Sequence, residues 1–378
     1  MPTPYDVIVL GLGGFGSAAC AHLAQRNVRV LGIDQFPLGH QRGSSHGESR
    51  IIRQAYFEHP DYVPLLRRAY ELWSELEQAS GTNLYRQTGL LLAGSPTGET
   101  INGAIAAARQ HAIPIEPLTA SEAESRFPGM RFHQNHAVLF EPRAGFLRVE
   151  ACINAHLEAA RASGATLWPE TPVHRIEIEA NGVRIHTAQA VLTAPRLVVA
   201  AGAWTGPLLA DLAIPLTPSR KFVGWFDVTP GAYHVDRGYP CFYAETHEGS
   251  FYGFPSLDGQ VIKVAEHSGV DPVADPSLVD RACRPEDLPR LTTFLQQMLP
   301  HATSRLSRHS VCLYTMSPDS HFLIDHLPQA PHVTVACGFS GHGFKFTSVI
   351  GEVLADLSLR GKSSLPVGFL SLKRFAAG

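Results

Sequence analysis

The first 34 residues constrain the fold more than any other stretch. In YDVIVLGLGGFGSAACAHLAQRNVRVLGID an apolar strand (6–10) runs into a glycine turn and then a small-residue helix reaching about Arg26; a second strand follows at 28–33. Gly11, Gly13 and Gly16 form G-x-G-x-x-G at the strand-to-helix junction. The first glycine permits a tight turn, the second lets backbone approach a pyrophosphate, and the third lets the helix pack on the strand. The helix N-terminus favours the phosphate charge. Asp34 ends the second strand, 23 residues after Gly11, where it can accept hydrogen bonds from a ribose diol. A bare glycine motif is weak, but strand, helix and terminal acid in register specify a dinucleotide-binding βαβ unit. NAD and FAD are not separated by it.

The 378 residues suffice for two domains with their own cores. A hydrophobic share of 44% and a net charge of -3 describe an ordinary globular protein with no basic excess, which argues against nucleic acid as a partner. None of the six cysteines forms C-x-x-C, so neither a zinc site nor a disulfide framework is expected, and no metal is assigned. A reducing compartment fits. The N-terminal apolar run is too short for a membrane span or a signal peptide, so a soluble, cytoplasmic protein is expected.

Further along, the spacing predicts helices over 61–78, 101–111, 148–165 and 285–300, and strands within 84–94. A buried strand runs into a glycine turn at 195–204, and antiparallel strands are expected at 221–228, 240–244, 250–254 and 260–266. The last segment reads strand, glycine loop, helix, with Gly361 as the stop. Nucleotide-type pieces therefore sit at the start, middle and end of the chain. The expected fold is α/β, a Rossmann-like dinucleotide domain (1–83, 145–212 and 315–378) interleaved with a substrate domain on a mainly antiparallel sheet (84–144 and 213–314).

Five further stretches carry chemistry. VVAAGAW (198–204), with Gly202, resembles the return of a flavoprotein chain to its dinucleotide, and GFSGHGFKF (338–346) puts a glycine loop at a helix N-terminus, suited to the negative charge of a flavin's pyrimidine end. GSSHGESRIIR (43–53) sets Arg50 and Arg53 three apart beside His46; they share a face if the segment is helical, and the pair reads either as a carboxylate fork or as a solvated turn. Lys263, between Ile262 and Val264, reads as solvent-facing by alternation or as a partly buried cation over a cofactor. Cys312 in VCLYTM reads by itself as a small buried hydrophobe.

Together GSSHGESRIIR, LFEPRAGFLRVE (139–150), FYGFPS (251–256), VCLYT (311–315) with HFLID (321–325), and GFSGHGFKF resemble the monomeric sarcosine oxidase and N-methyltryptophan oxidase family of D-amino-acid-oxidase-like flavoproteins, nearly end to end. The resemblance implies an FAD-dependent amine oxidase with an FAD-binding Rossmann-like domain. It implies a thioether from Cys312 to the 8α-methyl of FAD, a role for Lys263 in the reaction of reduced flavin with oxygen, and His46 and Arg50 beside the isoalloxazine. Arg53 and Lys345 would bind the substrate carboxylate, with Tyr252, His267, Tyr314 and Tyr243 around the substrate. Gly11, Gly13, Gly16, Asp34, Ser44, Val173, Gly202, Gly341, Gly343 and Lys345 would hold the cofactor. Ser45 departs from the pattern, where two adjacent histidines are usual, and Tyr243 and Glu266 stand where it varies. Tyr243, Phe251, Tyr252 and Tyr314 suggest an aromatic pocket.

The implied reaction takes an N-methyl amino acid to an imine, with water releasing formaldehyde and oxygen giving hydrogen peroxide. The amine must arrive unprotonated, since its lone pair drives hydride loss, and no further general base is required. GFLRVE and KFVGWF (221–226) stand slightly closer to the N-methyltryptophan branch. Rival readings are an oxidase of a cyclic secondary amino acid such as pipecolate or proline, a dehydrogenase using another acceptor, and a non-catalytic flavin-binding protein. The expected partners are a small secondary amino acid and oxygen, with a monomeric chain and neither nucleic acid nor membrane.

Overall fold

The computed structural model describes residues 4–210 and 214–375. Two large sheets organise it. The first has six strands in the order Leu323–Leu327, Ala330–Cys337, Arg196–Val199, Val7–Leu10, Val30–Ile33 and Thr166–Trp168. Its pairings are parallel except the one between Leu323–Leu327 and Ala330–Cys337. Parallel strands covered on both faces read as continuous apolar runs, and VIVL at 7–10 is such a run, buried throughout. Val7 and Val9 face the helices Gly14–Ala24, Val149–Ala162 and Thr347–Arg360. Ile8 and Leu10 face a small antiparallel sheet, Val173–Glu179, Gly182–Thr187 and Val191–Ala194, that closes the other side.

The second sheet has eight strands in the order Ala302–Met316, Thr217–Val228, Val261–Glu266, Gly249–Phe254, Cys241–Thr246, Leu90–Gly94, Ala137–Glu141 and Glu116–Leu118. All its pairings are antiparallel except that of Cys241–Thr246 with Leu90–Gly94. The boundary expected between residues 314 and 315 falls inside the strand Ala302–Met316. A three-stranded sheet, Ser49–Ile52, Gly145–Arg148 and Tyr85–Gln87, lies in the connecting segments.

The helices expected at 61–78, 101–111, 148–165 and 285–300 are observed as Tyr62–Ser80, Glu99–His111, Val149–Ala162 and Pro289–Met298. The last is shorter than 285–300, because Pro285 opens a separate short turn and Pro289 restarts the helix. The segment around Arg50 and Arg53 is a strand, Ser49–Ile52, rather than a helix, so the two arginines do not share a helical face. No helix among the described residues is long and apolar enough to cross a membrane.

Candidate active site

The alternation of the eight-stranded sheet assembles most of the site. Tyr243 lies opposite Tyr252, Tyr252 opposite Ala265, and Lys263 opposite both Phe254 and Trp225. Directly opposed residues of an antiparallel pair share a face. One face therefore carries Tyr243, Tyr252, Lys263, Cys312 and Tyr314. The other carries Phe222, Phe242, Phe251, Ile262 and Val264, which pack with Leu291, Phe294 and Leu295 of the helix Pro289–Met298. Phe251 thus belongs to the core, its ring stacked 4.5 Å from Phe294, and takes no part in the aromatic pocket suggested for it.

Lys263 is 4% exposed and does not reach solvent. Its Nζ donates to the Ser49 carbonyl (2.8 Å), Ser49 Oγ (3.1 Å) and the Gly47 carbonyl (2.5 Å), and lies 4.4 Å from the Phe254 ring centre. Burial, with Arg50 adding to it, depresses its pKa well below the usual lysine range. Cys312 is also buried, and Arg50 Nη2 donates to its Sγ at 3.2 Å. Burial by itself would raise the thiol pKa; His46 and Arg50 outweigh that and bring it to about 6. Such a thiol is a thiolate at neutral pH, the nucleophilic form. The other buried cysteines Cys20, Cys152, Cys241 and Cys337 are pushed upward by burial. Ser44 Oγ donates to the Leu313 carbonyl, next to Cys312.

A cavity of about 440 Å³ runs along this face and into the dinucleotide unit. Gly11, Gly13, Asp34, Val173 and Gly202 line one part of it. There Gly11 holds φ +89°, and a Cβ on it would come within 2.6 Å of the Ala200 carbonyl oxygen. Gly16 lies outside the lining, where a Cβ would come within 1.7 Å of the Gly11 oxygen, so the helix packs against the turn as the motif requires. Asp34 accepts from the Leu12 amide (2.7 Å) and the Phe36 amide (2.9 Å) at the cavity edge. Gly13 leaves the helix N-terminus without a cap of its own, and Ser45 Oγ accepts from the Gly14 amide at 3.2 Å. A glycine turn that admits no side chain, a helix N-terminus on the cavity and a terminal carboxylate together fit a dinucleotide such as FAD.

Ser44, Arg50, Gly341 and Gly343 line the same cavity, as do Arg53, Lys345, Tyr243, Tyr252, His267 and Tyr314. His46, Lys263 and Cys312 sit one layer behind the lining. Arg53 is sandwiched by Tyr56 and Phe57 and forms an ion pair with Glu58 at 2.6 Å. Burial opposes ionisation of Glu58, but Arg53 overrides it and holds the carboxyl at about 2. Lys345 Nζ donates to the His342 carbonyl at 2.7 Å, and burial, with Arg53 nearby, lowers it to about 7. His267 Nδ1 stands 3.3 Å from Tyr314 Oη, and burial lowers the imidazole to about 3. Glu266 takes no part, being paired with Arg290 at 2.8 Å.

Sequence reasoning missed Glu58, Tyr56 and His342. Tyr56 Oη and His342 Nδ1 are 2.6 Å apart, and burial lowers His342 to about 4. Glu58 follows Arg53 by five residues in a loop, a spacing with no periodic signature, and the Tyr56–His342 contact joins residues 286 apart.

Comparison with known proteins places these features in context. The profile of the family described as "FAD dependent oxidoreductase" (DAO) matches residues 6–357. The chain is 42% identical to a monomeric sarcosine oxidase of Streptomyces avermitilis, over 100% of this chain and 99% of that one. It is 35% identical to an N-methyl-L-tryptophan oxidase of Yersinia pestis, over 98% of this chain and 99% of that one. A solved structure of a variant of NikD, an unusual amino acid oxidase essential for nikkomycin biosynthesis, superposes with a TM-score of 0.88 at 24% identity, covering 98% and 97% of the two chains. L-proline dehydrogenase from P. horikoshii gives 0.86 at 24% identity, covering 100% and 99%. Over the whole chain the sarcosine oxidase is more similar than the N-methyltryptophan oxidase, opposite to the leaning of GFLRVE and KFVGWF.

Proposed function

As this chain belongs to the DAO family of FAD-dependent oxidoreductases, we propose that it oxidises N-methyl amino acids, of the sarcosine type before the N-methyltryptophan type, with oxygen as the acceptor. The observation that carries this reading is the meeting of Arg53, Lys345 and the residues Tyr252, Tyr314 and His267 on one cavity, which Arg50 also lines while donating to Cys312 behind it. Identities of 42% and 35% to named relatives support it.

Bound FAD supplies the two-electron acceptor that no side chain offers. Gly11 and Gly13 would admit its pyrophosphate, Asp34 would hold the ribose, and the loop with Gly341 and Gly343 would serve its pyrimidine end. Cys312, the thiol whose pKa Arg50 and His46 lower, would be the point of covalent attachment. Arg53 and Lys345 take the substrate carboxylate, and so orient the N-methyl group. Arg53 already holds one carboxylate, that of Glu58, so substrate binding exchanges or shares a partner. His267 stays neutral at working pH and does not repel or protonate the amine. Lys263, whose Nζ is buried behind the cavity, would offer its N–H donors where oxygen acquires negative charge.

The test is a panel of sarcosine, N-methyl-tryptophan and other N-methyl amino acids, pipecolate and proline, with peroxide as the readout. Sarcosine is expected to lead. Peroxide from none of them removes the oxidase reading, and faster turnover of the cyclic amines replaces the substrate class. Denaturation followed by filtration checks the tether: yellow colour should stay with wild-type protein and leave with Cys312→Ala.

A further inference from the structure

The sheet face that carries Lys263 and Cys312 carries another buried lysine. Lys221 lies directly opposite Cys312 in the pairing of Thr217–Val228 with Ala302–Met316, and is 7% exposed. Its Nζ donates to three backbone carbonyls, Ser268 and Gly269 at 2.6 Å each and His267 at 3.0 Å. An ammonium has three protons, so all of this cation's donors are committed to one turn. That turn ends the strand Val261–Glu266 and starts with His267, whose ring meets Tyr314 Oη. Lys221 Nζ also lies 5.2 Å from the centre of the Tyr314 ring. His267 and Tyr314 line the main cavity, whereas Lys221 faces a separate recess of about 170 Å³ bordered by Glu266, Asp271 and Arg290.

This is an unusual use of a charge. Backbone carbonyls in a surface turn are ordinarily satisfied by water, and a buried ammonium without a carboxylate partner is costly. Burial brings Lys221 down to about 8, so it is still charged at neutral pH. A cation satisfied by three carbonyls of consecutive residues fixes the direction of each, and therefore the backbone from which the His267 side chain projects. Its contact with the Tyr314 ring ties the same cation to the partner of His267.

We propose that Lys221 is a positioning residue for the substrate wall: by anchoring the 267–269 turn against the strand of Cys312 and Tyr314, it sets where His267 and Tyr314 meet the bound amino acid. The proposal rests on the reading of the cavity as an amino-acid site beside the flavin. It assigns Lys221 no contact with substrate and no part in the reaction with oxygen.

Lys221→Met in the flavin-loaded enzyme is the direct test, since methionine keeps most of the volume and removes the donors. Flavin content, the visible spectrum and the rate of reoxidation by oxygen should match wild type. KM for the best N-methyl amino acid should rise by about tenfold or more while kcat changes by less than about threefold. An unchanged KM overturns the proposal, and so does a fall in kcat at constant KM, which would put Lys221 in the chemistry. If Lys221→Met does not retain flavin, Ser268→Ala decides. Ser268 Oγ is the other clasp of the turn, accepting from the Ser250 amide (3.0 Å) and donating to Glu266 Oε1 (2.7 Å). Its loss should raise KM in the same sense, and an unchanged KM there also overturns the proposal. Acetate, too small to reach from Arg53 and Lys345 to the wall, should bind Lys221→Met as it binds wild type. Wild-type turnover of the amine panel is read separately: an enzyme that oxidises no secondary amine removes the premise, whereas an active wild type with an unaltered variant removes only the role of Lys221.

Discussion

At the scale of single residues, the two cations on the substrate cavity differ in how they answer to pH. Arg53 stays charged throughout, with Glu58 against it. Lys345 is pushed by burial to about 7, so its charge is present below that pH and lost as pH rises through it. A carboxylate ligand should therefore bind more weakly above about pH 7. Acetate shows this cleanly, because it does not titrate in that range as an amine substrate does. Its Kd, followed by the change in flavin absorbance, is expected to rise by up to about tenfold per pH unit above 7, and Lys345→Met should flatten the profile. A flat wild-type profile would take Lys345 out of carboxylate binding. For folding the sign is the opposite of a salt-bridged lysine's. Between about 7 and the ordinary 10.5 the unfolded chain holds a proton that the native one does not, so this group favours the native state more as pH rises through that window. The separate role proposed for Lys263 has a separate readout. Lys263→Met should slow reoxidation of the reduced enzyme by oxygen about 10²–10³-fold, with anaerobic reduction by substrate affected far less. Equal slowing of both half-reactions, measured by stopped flow, would remove its assignment to oxygen.

At the scale of elements, the loop between Ala330–Cys337 and Thr347–Arg360 joins the two sheets' chemistry. Gly341 there holds φ +85°, and a Cβ on it would come within 2.2 Å of the Tyr314 ring. The left-handed backbone and the ring contact both exclude a side chain. Gly341→Ala should cost about 1–3 kcal/mol in stability from backbone strain. It should also displace Tyr314 and so raise KM, visible together as a lowered Tm and an altered flavin circular dichroism; a variant unchanged in both would show that the loop has slack. The glycine pattern was readable in the sequence because backbone geometry demands that residue type. Other elements were less so. The run Ile262–Lys263–Val264 has the alternation of a half-exposed strand, and only its neighbours, with Trp225 and Phe254 directly opposite, determine that the lysine faces inward. Arg50 and Arg53 were spaced as on a helix, but the segment pairs with Gly145–Arg148 as a strand, which sends Arg50 to Cys312 and Arg53 to Glu58. Propensity and spacing describe one segment, whereas these outcomes were set by pairing with other segments: Trp225 lies on a different strand from Lys263, and Gly145–Arg148 fixes the strand of Arg50. The same limit hid Glu58 and His342, whose roles exist only once the loop 53–58 and the loop 338–343 meet.

At the scale of the whole molecule, the eight-stranded sheet divides stability from chemistry between its faces. Neighbouring residues of one strand consequently answer to different measurements, and the pair Phe251 and Tyr252 shows this most sharply. Phe251 is fully buried in the aromatic core, stacked on Phe294. Tyr252, its chain neighbour, points the other way into the cavity beside Arg50 and Tyr314, and burial raises its phenol above the ordinary range. Phe251→Ala should lose about 3–5 kcal/mol of stability, read as a lower midpoint in denaturant, while the enzyme that remains folded keeps a KM near wild type. Tyr252→Phe keeps the ring and its packing and removes only one hydroxyl from the cavity wall, so the midpoint should move by no more than about 1 kcal/mol while KM or kcat shifts. The strand's period of two forces this split, because a one-residue change of register would exchange the faces and put Phe222, Phe242 and Phe251 against the flavin. The measurement therefore tests register as well as function: if Tyr252→Phe unfolds the protein and Phe251→Ala alters only turnover, the two faces have been assigned the wrong way round.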